Sequence, residues 1–344
     1  MELAEMEMLL FVIEGLIVVC VNIPVICVIF FSPALSKTKE LLFIGGLCLA
    51  DTVDACGYIA AGIMRTRMYA SDTDDAQIAD DEQTTQIHCF FTSFVILFFV
   101  GYQFTAIMTL VVSMDRFAAV FYPSRQMRFS RTSRFLVIAA IGAWSCCTWL
   151  IVWPLQTNAP SALSTVSAQC YIAKTFLPPV WGYIIGLRIV CISASVVVYF
   201  PIAIRMNKML KTSTSDLQAA IQNKKLLRLT VTIAFTSFTA LCLLVIPDIL
   251  MLFDVAGLSR FHIIFYLIGL NKCLLNVFIY TLRQRELCRA LVYSALRILR
   301  LPTAKWEDST IVVGTQQSRI FHIMPEARST NRMSTVGLSG GFST

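Results

Sequence analysis

Ser113-Met114-Asp115-Arg116-Phe117-Ala118-Ala119-Val120-Phe121-Tyr122-Pro123 places an adjacent acid and base, Asp115 and Arg116, at the end of an apolar run from about Ile87 to Val112. A run of that length crosses a bilayer, so the pair is expected at a membrane surface. Adjacent opposite charges shield each other, and an arginine released to a new partner is a local electrostatic switch. The rest of the chain is built for lipid. Of its 344 residues, 57% are hydrophobic and 14% charged, and the mean hydropathy is +0.71. A soluble domain carries about a quarter charged residues. The formal charge of +7 is distributed by topology and forms no single patch, so no nucleic acid partner is expected.

Six further apolar runs accompany the first. The spans are expected near Met8 to Phe31, Leu41 to Met64, Ile87 to Ser113, Phe135 to Leu155, Pro179 to Ile204, Leu229 to Leu252 and Phe261 to Leu282. Each is close to the length of a tilted transmembrane helix. The fold class is therefore an all-α membrane protein, a seven-transmembrane helix bundle occupying 8–282. Lys37 and Lys39 lie in the first loop, Arg116, Arg125, Arg128, Arg131 and Arg134 in the third, and Arg205, Lys208, Lys211, Lys224, Lys225 and Arg228 in the fifth. The opposite side holds only Arg65, Arg67, Lys174 and Arg260. The positive-inside rule puts the basic loops in the cytosol and a short acidic amino terminus, 1–7, outside. That terminus carries Glu2, Glu5 and Glu7 without Lys or Arg, unlike the positive start of a secretory signal, so insertion is expected to begin with the first span.

The Asp115-Arg116-Phe117 triplet resembles the Asp-Arg-Tyr box of rhodopsin-like G-protein-coupled receptors, with Phe117 for tyrosine and Pro123 at the family's spacing. Asn22, Leu49-Ala50-Asp51, Trp144 and Pro247 match recurring positions in four other spans, and Asn276-Val277-Phe278-Ile279-Tyr280 resembles Asn-Pro-x-x-Tyr with valine for proline. Arg283 to Leu291 is a basic amphipathic stretch similar to the family's short eighth helix, expected over 283–299 along the inner leaflet. Three features depart from the family pattern. Leu244-Val245-Ile246-Pro247 lacks the tryptophan of span six, span five has Cys191 where a proline is usual, and Leu227 brings no acid opposite Arg116. With these departures the chain is most similar to the divergent nematode serpentine chemosensory receptors.

Of twelve cysteines, only Cys89 and Cys170 fall on the exterior side, so the oxidising face holds one possible pair. The alternative is two unpaired thiols. A bridge would close a loop of about 80 residues, a constraint of roughly 4 kcal/mol in the chain-entropy model. The pairing also resembles the family's, although Cys89 to Arg116 is longer than its commonest spacing, which predicts a distorted top of span three.

Ionisable residues inside a membrane are functional candidates. The resemblance implies a polar core of Asn22, Asp51, Thr105 and Asn276, with Asp51 matching the family's sodium-binding aspartate. Lys272 lies one turn from Asn276 on the same helix side. Its ammonium is expected to replace the sodium ion as a tethered partner of Asp51, the alternative being a lysine alone in a watery cavity. Lys272 also raises the reading of a retinal-binding opsin. Opsin lysines lie six residues before the motif asparagine and Lys272 four, an offset of about 200° around the helix. A ligand-gated channel or transporter subunit is the competitor of another class, but transporter-like internal repeats are not visible. Phosphate-cradling glycine loops and metal-ligand clusters are also missing from the sequence, so neither enzyme activity, cofactor nor metal is expected.

The resemblance places the G-protein switch at Asp115 and Arg116, supported by Tyr199 and Tyr280. The ligand site is expected in the outer half of the bundle, among Tyr58, Phe98, Tyr102, Gln103, Trp181, Tyr183, Arg188, Asp248 and Tyr266. Phe98 stands where amine receptors carry an aspartate, which disfavours an amine held by that contact. Arg188 and Asp248 pair with each other, or one binds a ligand charge. The aromatic lining suits a small, partly apolar molecule or a short peptide. The acidic loop between Arg65 and Gln86 lacks the glycine and glutamate of a calcium loop and is expected to be solvated. The polar tail over 300–344 is expected to be disordered, with serines and threonines for a receptor kinase and arrestin. Cys288 is a candidate for palmitoylation or a free thiol. The partners implied are a heterotrimeric G protein, the lipid bilayer and a chemical ligand, at the plasma membrane.

Overall fold

Lipid offers the backbone no hydrogen-bond partner, so an apolar chain crosses it as helices that satisfy their own amides. The computed structural model describes residues 3–32, 35, 41–71, 83–122, 130–212, 217–253, 257 and 262–298. Seven helices are long and apolar enough to span a membrane: Met6–Phe31, Leu42–Met68, Ser93–Phe121, Arg131–Thr157, Pro178–Met209, Leu226–Leu252 and Ile263–Leu282. They are called spans one to seven below. The loop lysines Lys37 and Lys39, the acidic stretch 72–82, Pro123 with Arg125 and Arg128, and the tail lie outside the described residues.

Span three is the hub of the bundle. In its most apolar stretch 67% of residues are buried, beside 72% in span two and against 28% in spans four and five. Spans two, four and five all pack on it. Spans two and three approach closely at Gly101, where a Cβ would come within 3.0 Å of Asp54 Cα. A small residue is needed for that approach.

The structure corrects the expected limits of span three at both ends. Ile87 and Cys89 belong to a separate short helix, Gln86–Phe90. The chain breaks at Phe91-Thr92, and span three starts at Ser93 with Thr92 in extended conformation. This break is the distortion that the long Cys89 to Arg116 spacing predicts. At the other end the helix continues to Phe121, so Asp115 and Arg116 lie within it rather than after it.

Span six has a different irregularity. Leu241–Val245 forms a π turn followed by the helix Ile246–Leu252. Pro247 has no amide hydrogen and its ring crowds the carbonyl of the preceding turn, and a widened turn relieves that clash. After span seven the chain bends at Gln284 and forms the helix Arg285–Ile298. Leu287 and Ala290 on that helix are buried against a cluster that includes Val25, Val28 and Ile29 of span one.

One end of the bundle carries two short paired strands from separate loops, called the hairpin below. Gln83–Thr85 pairs antiparallel with Thr165–Ser167, and Cys89 and Cys170 form a disulfide. Below the hairpin, Phe90 stacks on Trp149 at 4.0 Å, and Phe99 and Phe176 complete the aromatic cluster. Arg65 at the end of span two donates to Gln169 O at 3.0 Å, with its guanidinium near the Phe94 and Tyr171 rings. Gln156 of span four donates to Thr175 O at 3.0 Å. The hairpin is therefore tied to the bundle by a covalent bond, a cation and an aromatic cluster.

Cys89→Ser and Cys170→Ser are each expected to lower the apparent Tm, by an amount that corresponds to a lost constraint of about 4 kcal/mol. The double substitution is expected to add nothing further. Thermal melts of purified protein at one scan rate check this.

Candidate functional site

Three polar assemblies lie along the bundle axis. The first is at the end opposite the hairpin. Arg116 is 1% exposed and donates to Asp115, and the other Asp115 oxygen lies 3.3 Å from Arg134 Nη2 of span four. Asp115 thus holds two arginines. The sequence counted Arg134 only as a topology signal.

No acid of span six meets Arg116 among the described residues, and Leu227 packs instead on a cluster of Val120, Ile202 and Met206. Hydroxyls make the connection one turn higher. Ser113 Oγ lies 2.5 Å from Ser195 Oγ of span five. Ser195 in turn donates to Ser237 Oγ of span six at 2.9 Å, and Ser113 donates to Tyr199 OH at 3.2 Å. Tyr280 of span seven donates to Thr236 Oγ1 at 3.3 Å. The two tyrosines are therefore engaged with different neighbours. The serine ladder escaped sequence reading because serine is common in membrane helices. Its one signal is that small polar residues favour helix contacts.

The second assembly is the mid-bundle core. Lys272 Nζ donates to Asp51 Oδ1 at 2.9 Å, and Asn276 Nδ2 donates to Asp51 Oδ2 at 3.0 Å. Asp51 is 0% and Lys272 1% exposed. The two other expected members do not join them. Asn22 donates back to Val18 O of its own helix at 3.0 Å, and the Thr105 hydroxyl makes no hydrogen bond. Asp54, one turn further along span two, is also buried, and sequence reading overlooked it. The signal was available, because residues three apart on a helix share a face.

The third assembly is toward the hairpin. Arg188 grips Asp248 with two bonds, Nε to Oδ2 at 2.6 Å and Nη2 to Oδ1 at 2.5 Å. The same guanidinium lies 4.4 Å from the Tyr102 ring centroid. Of the two expected alternatives, the structure has the mutual pair. Tyr58 meets Phe98 edge-on at 4.6 Å and Tyr266 at 6.5 Å, and Phe98 lies 5.6 Å from Tyr102. These residues form one continuous group. Gln103 belongs to a separate bridge, its Oε1 accepting from Thr148 at 3.1 Å and from Tyr183 at 3.3 Å. Tyr183 is 41% exposed, so its ring faces outward and only its hydroxyl turns in. Trp181 is partly buried against the aromatic cluster.

Removing one partner of a buried ion pair costs about 3–5 kcal/mol, because the other charge is left in a low dielectric. Lys272→Met and Asp51→Asn are each expected to reduce the Tm, and Lys272→Met with Asp51→Asn is expected to recover part of the loss. A double-mutant cycle by thermal melting measures the coupling.

The sequence matches the serpentine type 7TM GPCR chemoreceptor family Srsx over residues 16–293, from the middle of span one into the helix that follows span seven. Curated proteins give no match. The match spans most of the chain, together with the seven apolar helices and the disulfide, and the chain belongs to the Srsx family of serpentine seven-transmembrane chemoreceptors.

Proposed function

We propose that the protein is a chemosensory receptor of the plasma membrane that binds a small molecule or short peptide between the hairpin-side ends of its helices and activates a heterotrimeric G protein at the other end. The observation that carries this reading is Arg116, a buried arginine held by Asp115 at the end of the hub helix. An arginine held that way is in a released-on-demand state, since outward movement of span six opens a cleft beside it. Span six has the means to move. Its π turn and Pro247 interrupt regular hydrogen bonding, and among the described hydrogen bonds its inner half is joined to spans five and seven by hydroxyls rather than by charges. Tyr199 and Tyr280 then have room to support the opened state. Asp51, Lys272 and Asn276 connect the two ends, because a shift of span seven against span two alters all three contacts together.

In this reading the amino terminus is extracellular, and the tail is cytosolic and available to a receptor kinase and arrestin. The helix Arg285–Ile298 lies along the inner leaflet, with its buried Leu287 and Ala290 toward span one and its basic residues at the lipid surface. Lys272 lies four residues before Asn276 instead of six, an offset of about 200° around the helix that argues against a retinal Schiff base.

Guanine-nucleotide exchange is measured on a panel of G proteins, in membranes with matched receptor levels, with and without fractionated chemical extracts. Receptor-dependent exchange is expected with wild type and is expected to disappear in Arg116→Ala. Receptor-dependent current in place of exchange would favour a channel. Ser237→Ala is expected to raise exchange without added extract, because it cuts the link from span six to Ser195.

A further inference from the structure

The buried charges of the bundle core do not balance. Lys272 is committed to Asp51 and Arg188 to Asp248, and both pairs are internally neutral. Asp54 is left over. It is 9% exposed, makes no salt bridge among the described residues, and its Oδ1 has no hydrogen-bond partner. The charges near enough to act on it are Arg188, Asp51 and Lys272, each engaged elsewhere. Its other electrostatic neighbours are the Cys273 thiol and the phenols Tyr58 and Tyr102, whose rings continue into Phe98 and Tyr266. Along span two Asp54 lies one turn on the hairpin side of Asp51 and one turn below Tyr58, at the floor of the aromatic group.

A carboxylate without a partner in a low dielectric is costly, and a cation or a proton relieves it. A hard inorganic cation needs several oxygen ligands, whereas the walls here are mostly rings. An ammonium on an apolar stem is satisfied by one carboxylate and aromatic faces. We propose that Asp54 is the counter-ion for the ligand's positive charge, and that the receptor takes a small organic amine whose alkyl or aryl part packs among Tyr58, Phe98, Tyr102 and Tyr266. This deepens the chemoreceptor reading by naming its ligand class, and it revises the expectation drawn from Phe98, because the acid stands on span two instead of span three.

The test is a thermal-shift measurement on purified full-length receptor, independent of any G protein. The probes are alkylammonium chlorides of increasing chain length, the alcohols of the same length, and sodium chloride at matched ionic strength. Wild type is expected to gain about 3 °C or more in apparent Tm with the longer alkylammonium ions at saturating concentration, and nothing with the alcohols. Arg116→Ala is expected to keep that shift, and Asp54→Asn to lose it while still folding, as judged by its own melt. If Asp54→Asn does not fold, the wild-type contrast between alkylammonium ions and alcohols still decides. Equal shifts with alcohols overturn the proposal. So does a shift with sodium that matches the alkylammonium ions, which marks an inorganic cation site. A shift kept by Asp54→Asn, or none in wild type, also overturns it and marks Asp54 as a carboxyl neutralised by a proton. Each of these results leaves the exchange assay to judge G-protein coupling separately.

Discussion

Opposite charges inside a bilayer must touch, and this bundle uses that requirement to choose which helices are neighbours. Apolar packing alone discriminates poorly there, because a lipid tail is as good a neighbour as leucine. Asp51 and Lys272 join spans two and seven, Arg188 and Asp248 join spans five and six, and Asp115 with Arg134 joins spans three and four. The first two pairs are buried, so separating those helices would leave a charge without compensation, whereas Asp115 also holds Arg116 of its own helix. The three contacts fix three helix pairs, while the lipid-facing sides remain free to be merely apolar.

The links at the two ends of the bundle differ in kind. At the hairpin end they are strong: a disulfide, the Arg65 bond to Gln169 and stacked aromatic rings. At the Arg116 end, span six is tied to its neighbours through Ser195, Ser237, Thr236 and Tyr280. Neutral hydrogen bonds between membrane helices are worth about 0.6 kcal/mol each. A few such bonds hold a resting position without a large barrier to leaving it. Loss of the usual acid on span six therefore does not leave that helix unattached; it exchanges one electrostatic contact for several weaker ones.

Between the ends lies the polar core, and it is more committed than its counterpart in the resemblance. A mobile sodium ion can leave, but Lys272 is part of the chain. Both Asp51 oxygens are bonded within the protein, one to Lys272 and one to Asn276. Asp54, one turn away, has no such arrangement.

Much of this was legible from composition and spacing. The seven apolar runs, the basic loops and the one candidate cysteine pair each follow from rules that act locally along the chain, and the long interval between Cys89 and Arg116 pointed to a distortion, which the structure has as the break at Phe91-Thr92. The Asp51 and Lys272 partnership was also readable, because few other compensations exist for two charges in lipid. Which hydroxyls meet was not. Ser113, Ser195 and Ser237 are separated by whole spans, and nothing local distinguishes them from serines that bond their own helix, as Asn22 does with its amide. Thr105 failed for the same reason, since rotation of a helix decides whether a side chain reaches across. Sequence by itself determined the class, the number of crossings and the residues that needed partners, because burial cost is a property of each residue. Tertiary structure alone decided who those partners are and that Asp54 makes no salt bridge among the described residues, because pairing depends on the relative rotation and depth of helices that only packing sets.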